Sequence, residues 1–127
     1  MNPPMYQRVR NMFGDAGLTN GFLVQLLNFN DPNDLSKAIM VFRPNGGTPI
    51  RNDLGNDNYV LVDVIGAKDK NQAAATAAQS ILDYVQANPH ADECVGKIEN
   101  MGAYPTPVTT EEGRIVLRLQ FACTFGD

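Results

Sequence analysis

The residues from Arg114 to Phe125 constrain this chain more than any other part of it. Ile115, Leu117, Leu119, Phe121, Cys123 and Phe125 alternate with Arg114, Val116, Arg118, Gln120, Ala122 and Thr124. A strict period of two specifies an extended strand with one apolar face. At roughly 3.3 Å per residue, such a strand runs close to 40 Å, longer than most. It needs neighbouring strands for its backbone and a covering layer for its apolar face, so the chain has to be built around a sheet.

Other segments supply those parts. Pro3-Pro4 suits a helix start, and Met5, Val9, Met12 and Phe13 form the stripe of an amphipathic helix that Gly14 or Gly17 stops. Phe22 to Phe29 is a short apolar run that fits either a buried strand or a helix; a strand is the preferred reading. Ala38 to Phe42 is apolar on both faces, as in a central strand. Tyr59 to Ile65 is rich in β-branched residues and closes at Gly66. Asp69 or Asn71 is placed to cap a helix over Gln72 to Ala87. Its face of Ala74, Ala77, Ala78, Ile81, Leu82 and Val85 is small enough to lie close on a sheet, and Asn88-Pro89 ends it. Val95 to Met101 reads as a short strand. The order predicts one α+β domain over residues 1–127, a mostly antiparallel sheet with two helices packed on one face.

Length and composition agree. One hundred and twenty-seven residues make one domain, with 43% hydrophobic and 19% charged residues. The net charge of −4 and the lack of any Lys/Arg run argue against direct nucleic-acid recognition. The N-terminus lacks the pattern of a signal peptide. No apolar run approaches the length of a membrane span. A cytoplasmic setting with reduced thiols is therefore expected for Cys94 and Cys123.

A search for chemistry finds no established catalytic signature. Asn45-Gly46-Gly47-Thr48 is followed by Pro49, not by a helix start, and reads as a turn. His90 with Asp92 or Glu93 fits a solvated group past a helix end better than a general base. Cys94 lacks a third partner for nucleophilic chemistry, and Cys123 sits on the apolar face of the last strand as a small core residue. Asp31 and Asp34, or Asp53 and Asp57, lack the oxygen spacing of a calcium loop. The expectation is no enzyme, no metal and no cofactor. Asp63 stands out as an acid inside an apolar strand. If buried it needs a countercharge, and Arg114 or Arg118 on a neighbouring strand can supply it.

What remains is surface. Residues 43–58 read as a turn-rich stretch, holding part of a cluster of asparagines, and long irregular stretches in compact domains are often functional. Arg43 and Arg51 stand beside Asp53 and Asp57, with Ile50 and Leu54 as apolar contacts. A second irregular stretch, Met101 to Gly113, carries Tyr104. These seven residues form the expected protein interface, in which unlike charges on neighbouring copies set a head-to-tail register.

The pattern of elements resembles the tail terminator proteins of long-tailed bacteriophages, the lambda-type minor tail proteins. The resemblance spans nearly the whole chain: an opening helix (Met5–Phe13), a central apolar strand (Ala38–Phe42), a long turn-rich loop, a strand running into a helix (Tyr59–Ile65, then Gln72–Ala87) and a long alternating last strand (Arg114–Phe125). It implies a structural virion protein acting as a homo-oligomeric ring, a hexamer, that caps the tail tube, stops its polymerisation and offers a head-joining surface. The implied partners are further copies of the chain, the tail tube protein and a head-completion protein, with no membrane. The implied location is the virion tail, with assembly in the host cytoplasm. A head-completion or neck protein, and a small-molecule-binding α+β domain, are the alternative readings.

Overall fold

The structure is a computed structural model that describes residues 4–27, 36–47, 56–89, 95–101, 105–110 and 113–125. The chain runs α1 (Met5–Asp15), β1 (Leu23–Leu26), β2 (Ile39–Gly47), β3 (Asn56–Ile65), α2 (Asn71–Ala87), β4 (Lys97–Asn100), β5 (Val108–Thr109) and β6 (Ile115–Phe125). The strands form one sheet in the order β1-β2-β3-β6-β4, with β5 also paired to β6. Every pairing is antiparallel except β1 with β2, which is parallel.

The alternating C-terminal segment is the spine of this sheet. β6 pairs with β3 from Asn56↔Phe125 to Ile65↔Val116, and its other edge takes β4 at one end and β5 at the other. Ile115, Leu117, Leu119, Phe121 and Cys123 are buried beneath both helices, in one core with Met40, Phe42, Val60, Val62 and Val64. The α+β reading with both helices on one face therefore describes the fold.

The helices dock through the stripes read from the sequence. In α1, Met5, Tyr6, Val9, Met12 and Phe13 are buried. Phe13 makes edge-to-face contacts with Phe42 (5.9 Å between centroids) and Phe121 (5.6 Å), spanning β3 from β2 to β6. Such pairs add about 0.5–1.5 kcal/mol beyond area burial. In α2 the buried positions are Ala74, Ala78, Ile81 and Val85, at spacings of four, three and four. Gly66 marks the closest approach: a Cβ there would lie 3.0 Å from the Ala74 Cβ and 3.0 Å from the Ile115 Cγ2. A side chain at this position, just after β3, would require Ala74 and Ile115 to give way by a few tenths of an ångström.

Three local expectations are corrected. The turn-rich stretch is shorter than residues 43–58, because β2 continues through Pro44-Asn45-Gly46-Gly47 and β3 already begins at Asn56. A register shift between Pro44 and Gly47, with Gly46 at φ +79°, lets these turn-forming residues stay paired. The 101–113 stretch contains the short strand β5. Neither Asp69 nor Asn71 caps α2: the helix starts after Lys70 with no side-chain cap, and Asp69 adopts a left-handed φ of +61°. The run from Phe22 is a strand, as expected, over Leu23–Leu26, with Val24 and Leu26 packed on the core.

Candidate functional site

The sheet face opposite the helices carries the polar chemistry of the molecule. Ile39, Val41 and Ile65 are buried there in a small cluster with Val116. Next to them, Asp63 is 2% exposed. It lies opposite Arg118 of β6 and opposite Val41 of β2, two residues before Arg43. The Arg118 Nε donates to Asp63 Oδ1 at 2.9 Å and its Nη2 to Oδ2 at 3.4 Å. The Arg43 Nη2 donates to the same Oδ2. One buried carboxylate thus takes two guanidiniums from the strands on either side.

Arg43 and Arg118 keep part of their side chains in water, at 30% and 56% exposure. The Arg118 pKa is raised above its ordinary value, first by the hydrogen bond to Asp63 and then by its charge. The Arg43 Nε is buried and has no hydrogen-bond partner among the described residues. A buried acid with two partners satisfies the rule that buried charge must be paired. The pairing of Asp63 with Arg118 matches the sequence expectation, but the second partner is Arg43, not Arg114.

Arg114 has a different task. It is 3% exposed, and its Nε donates to the Gly66 carbonyl at 2.9 Å and its Nη2 to the Lys37 carbonyl at 2.6 Å. Gly66 follows β3 and Lys37 precedes β2, so one side chain from the start of β6 ties together the ends of three adjacent strands. Each carbonyl would otherwise lose a partner as its strand leaves the ladder.

Of the seven expected interface residues, Arg43 is engaged with Asp63 in its own chain. Asp57 lies in β3 opposite Thr124. Ile50, Arg51, Asp53, Leu54 and Tyr104 lie outside the described residues, as do His90 and Cys94. The β2–β3 hairpin that carries most of them is nevertheless framed: β1 pairs with β2 only as far as Phe42, so Arg43 to Gly47 run on past the end of β1. The two strands β2 and β3 stay paired as far as Gly47↔Asn58.

Chemistry of other kinds finds little to work with among the described residues. No group of three or more His, Cys, Asp or Glu side chains stands close enough to hold a metal. No helix is long and apolar enough to cross a membrane. A recess of about 150 Å³ beside β6, lined by Leu82, Asn100, Met101, Pro105, Arg118 and Gln120 among others, is too small for a typical ligand pocket. Cys123 is buried and free, and burial pushes its thiol up to about 12.

Comparison with known proteins agrees with this picture. One solved structure superposes on the chain with a TM-score of 0.53, covering 94% of this chain and 95% of its own at 13% identity, which shows a shared fold and no more. No match is found among curated protein sequences. The family model described as phage tail termination protein matches residues 2–127. The chain, with its sheet built on β6, belongs to the phage tail termination protein family and is a structural component of the phage tail.

Proposed function

We propose that the chain closes into a ring of six copies on the end of the tail tube, stops tube polymerisation there and presents the surface to which a head-completion protein joins. The family match supports the terminator role, and the β2–β3 pair, which runs on past the end of β1, supports the contact between copies. β2 and β3 stay paired as far as Gly47↔Asn58, and Ile50, Arg51, Asp53 and Leu54 fall between the two strands in the sequence. Contacts of one patch with a different patch on the next copy close into rings when the rotation fits.

In this reading Ile50 and Leu54 supply most of the binding. The exposed ion pairs of Arg51, Asp53 and Asp57 set register and give under about 1 kcal/mol each. Arg43 contributes least, because Asp63 already holds it. The test replaces Ile50 and Arg51 together with Asp and assays tail length and infectivity by complementation. Overlong tails, or tails that fail to join heads, are expected. Normal tails from a folded double variant would remove the β2–β3 hairpin from the mechanism.

A further inference from the structure

The two edges of the sheet are built differently. At the β4 edge, the main-chain N–H of Ile98 already donates to the Pro89 carbonyl at 2.8 Å, and Lys97 and Glu99 place an exposed ion pair on the strand. Covering and charge are two of the devices that keep an edge strand from pairing with another chain. The overhanging part of β2 has two others, a proline at Pro44 and a bulge. Among the described residues β1 has none of them. Its sequence, Leu23-Val24-Gln25-Leu26, holds no charge, proline or glycine and shows no register shift against β2.

The geometry of β1 shows which groups face outward. Leu23 N–H donates to Ala38 O at 2.8 Å, and Leu27 N–H donates to Phe42 O at 2.9 Å. Odd-numbered residues therefore turn their backbone toward β2, and Val24 and Leu26 turn theirs to the open edge. Among the described residues no backbone partner lies on that side. Flanking this edge are Leu23 and Leu27, two of the few large apolar side chains left exposed, at 45% and 47%. Leu27 adopts φ +68°, a conformation disfavoured for a bulky apolar residue.

We propose that this edge pairs with the same edge of a second copy, antiparallel about a two-fold axis at Gln25. The sequence is complementary to itself in that register. Gln25 meets Gln25, Val24 meets Leu26, and Leu23 meets Leu27. The pairs of Val24 with Leu26 are the ones whose N–H and C=O groups face outward in both copies, so they exchange hydrogen bonds. Each exposed leucine covers the other. Pairing stops at two copies, because the far edge of each sheet is blocked at β4. The contact is small, so the dimer is a weak, exchanging one. It shields an uncharged edge in the free protein and is separate from the ring contact proposed for the β2–β3 hairpin.

Sedimentation velocity of the purified protein, from low micromolar to near-millimolar concentration, tests this. A monomer–dimer equilibrium is expected. Gln25→Lys and Gln25→Glu each place like charges opposite one another and should weaken it at least about tenfold, whereas an equimolar mixture of the two should restore it. In a Cys94→Ser background, Gln25→Cys should cross-link to a dimer on mild oxidation. Residues opposite each other without direct hydrogen bonds have Cα atoms about 4.5 Å apart, within disulfide range. Circular dichroism confirms that each variant is folded. A wild-type protein that stays monomeric throughout, a Gln25→Lys variant that dimerises like wild type, or species of ring size insensitive to position 25 would overturn the proposal. The last result would leave the ring reading intact.

Discussion

Asp63 of β3 and Arg118 of β6 stand directly opposite each other, and the guanidinium grips the buried carboxylate through both of its oxygens. Arg43 reaches one of those oxygens from the other side, so the acid is the centre of a three-strand clamp. Its two arginines are redundant: either alone leaves the carboxylate with a countercharge.

Redundancy predicts strong non-additivity. Arg118 is more than half exposed, so Arg118→Ala is expected to cost no more than about 1 kcal/mol. Arg43→Ala should cost a similar amount. Removing both leaves a charge in a site 2% exposed and should cost about 3–5 kcal/mol. Urea unfolding of the two single variants and the double variant measures the coupling, which is expected to exceed about 1 kcal/mol. Additive losses would mean that the two arginines do not share Asp63.

The spine of the fold gives a second prediction. Leu119 is 2% exposed and Phe121 fully buried, both beneath the helices. Leu119→Ala and Phe121→Ala should each cost about 2–5 kcal/mol. The Phe121 change also removes one of the two aromatic contacts of Phe13, so it should loosen α1 first. Hydrogen exchange of the α1 amides should report that loosening. Losses below about 1 kcal/mol at both sites would place this face outside the core.

Much of this was legible in the sequence, and the failures have physical reasons. The period of two in β6 and the small-residue stripe of α2 each match one structure only, so local pattern and tertiary fold agree. Pro44 to Gly47 reads as a turn because those residue types favour one. Pairing with β3, with a bulge to absorb the mismatch, overrides that preference. The Asp63–Arg118 pair was visible because both strands were. Arg43 was missed as the second partner because its reach depends on β2 lying next to β3 on the side away from β6, and strand order is not written in periodicity. Arg114 alternates as a surface residue would, and its burial follows only from where three strands end.

Cys123 gives a prediction about pH. Its thiol has an ordinary value of 9.0 and is pushed up to about 12 by burial. A group that binds its proton more tightly when folded favours the folded state fully below pH 9, and that contribution is lost as pH rises from 9 toward 12. Between those limits, wild type should lose stability with rising pH faster than Cys123→Ala does, by up to about 1 kcal/mol per pH unit. Urea unfolding of both proteins at pH 8, 9 and 10 checks the difference, which cancels the titration of groups common to both. At neutral pH the folded thiol should resist alkylation and react only on unfolding.

Arg114 carries the last prediction. Its guanidinium donates to the Gly66 and Lys37 carbonyls, and its own main-chain N–H donates to the Thr110 hydroxyl oxygen at 3.2 Å. A lysine offers one ammonium point in place of a planar fork, so Arg114→Lys can satisfy one of the two carbonyls but not both. Arg114→Met fills similar volume and satisfies neither. The buried Gly66 carbonyl left without a donor costs about 1–3 kcal/mol, and the part-buried Lys37 carbonyl less. Arg114→Lys is therefore expected to be destabilised by up to about 3 kcal/mol and Arg114→Met by more. The damage should be local to the end of the sheet where β2, β3 and β6 meet. Faster exchange is expected at Gly66 N–H, which donates to Ile115 O, with Leu27 N–H, which donates to Phe42 O beyond the end of β1, unchanged. Equal stability of the lysine variant and wild type would show that one of the two carbonyl contacts contributes nothing to holding the strand ends together.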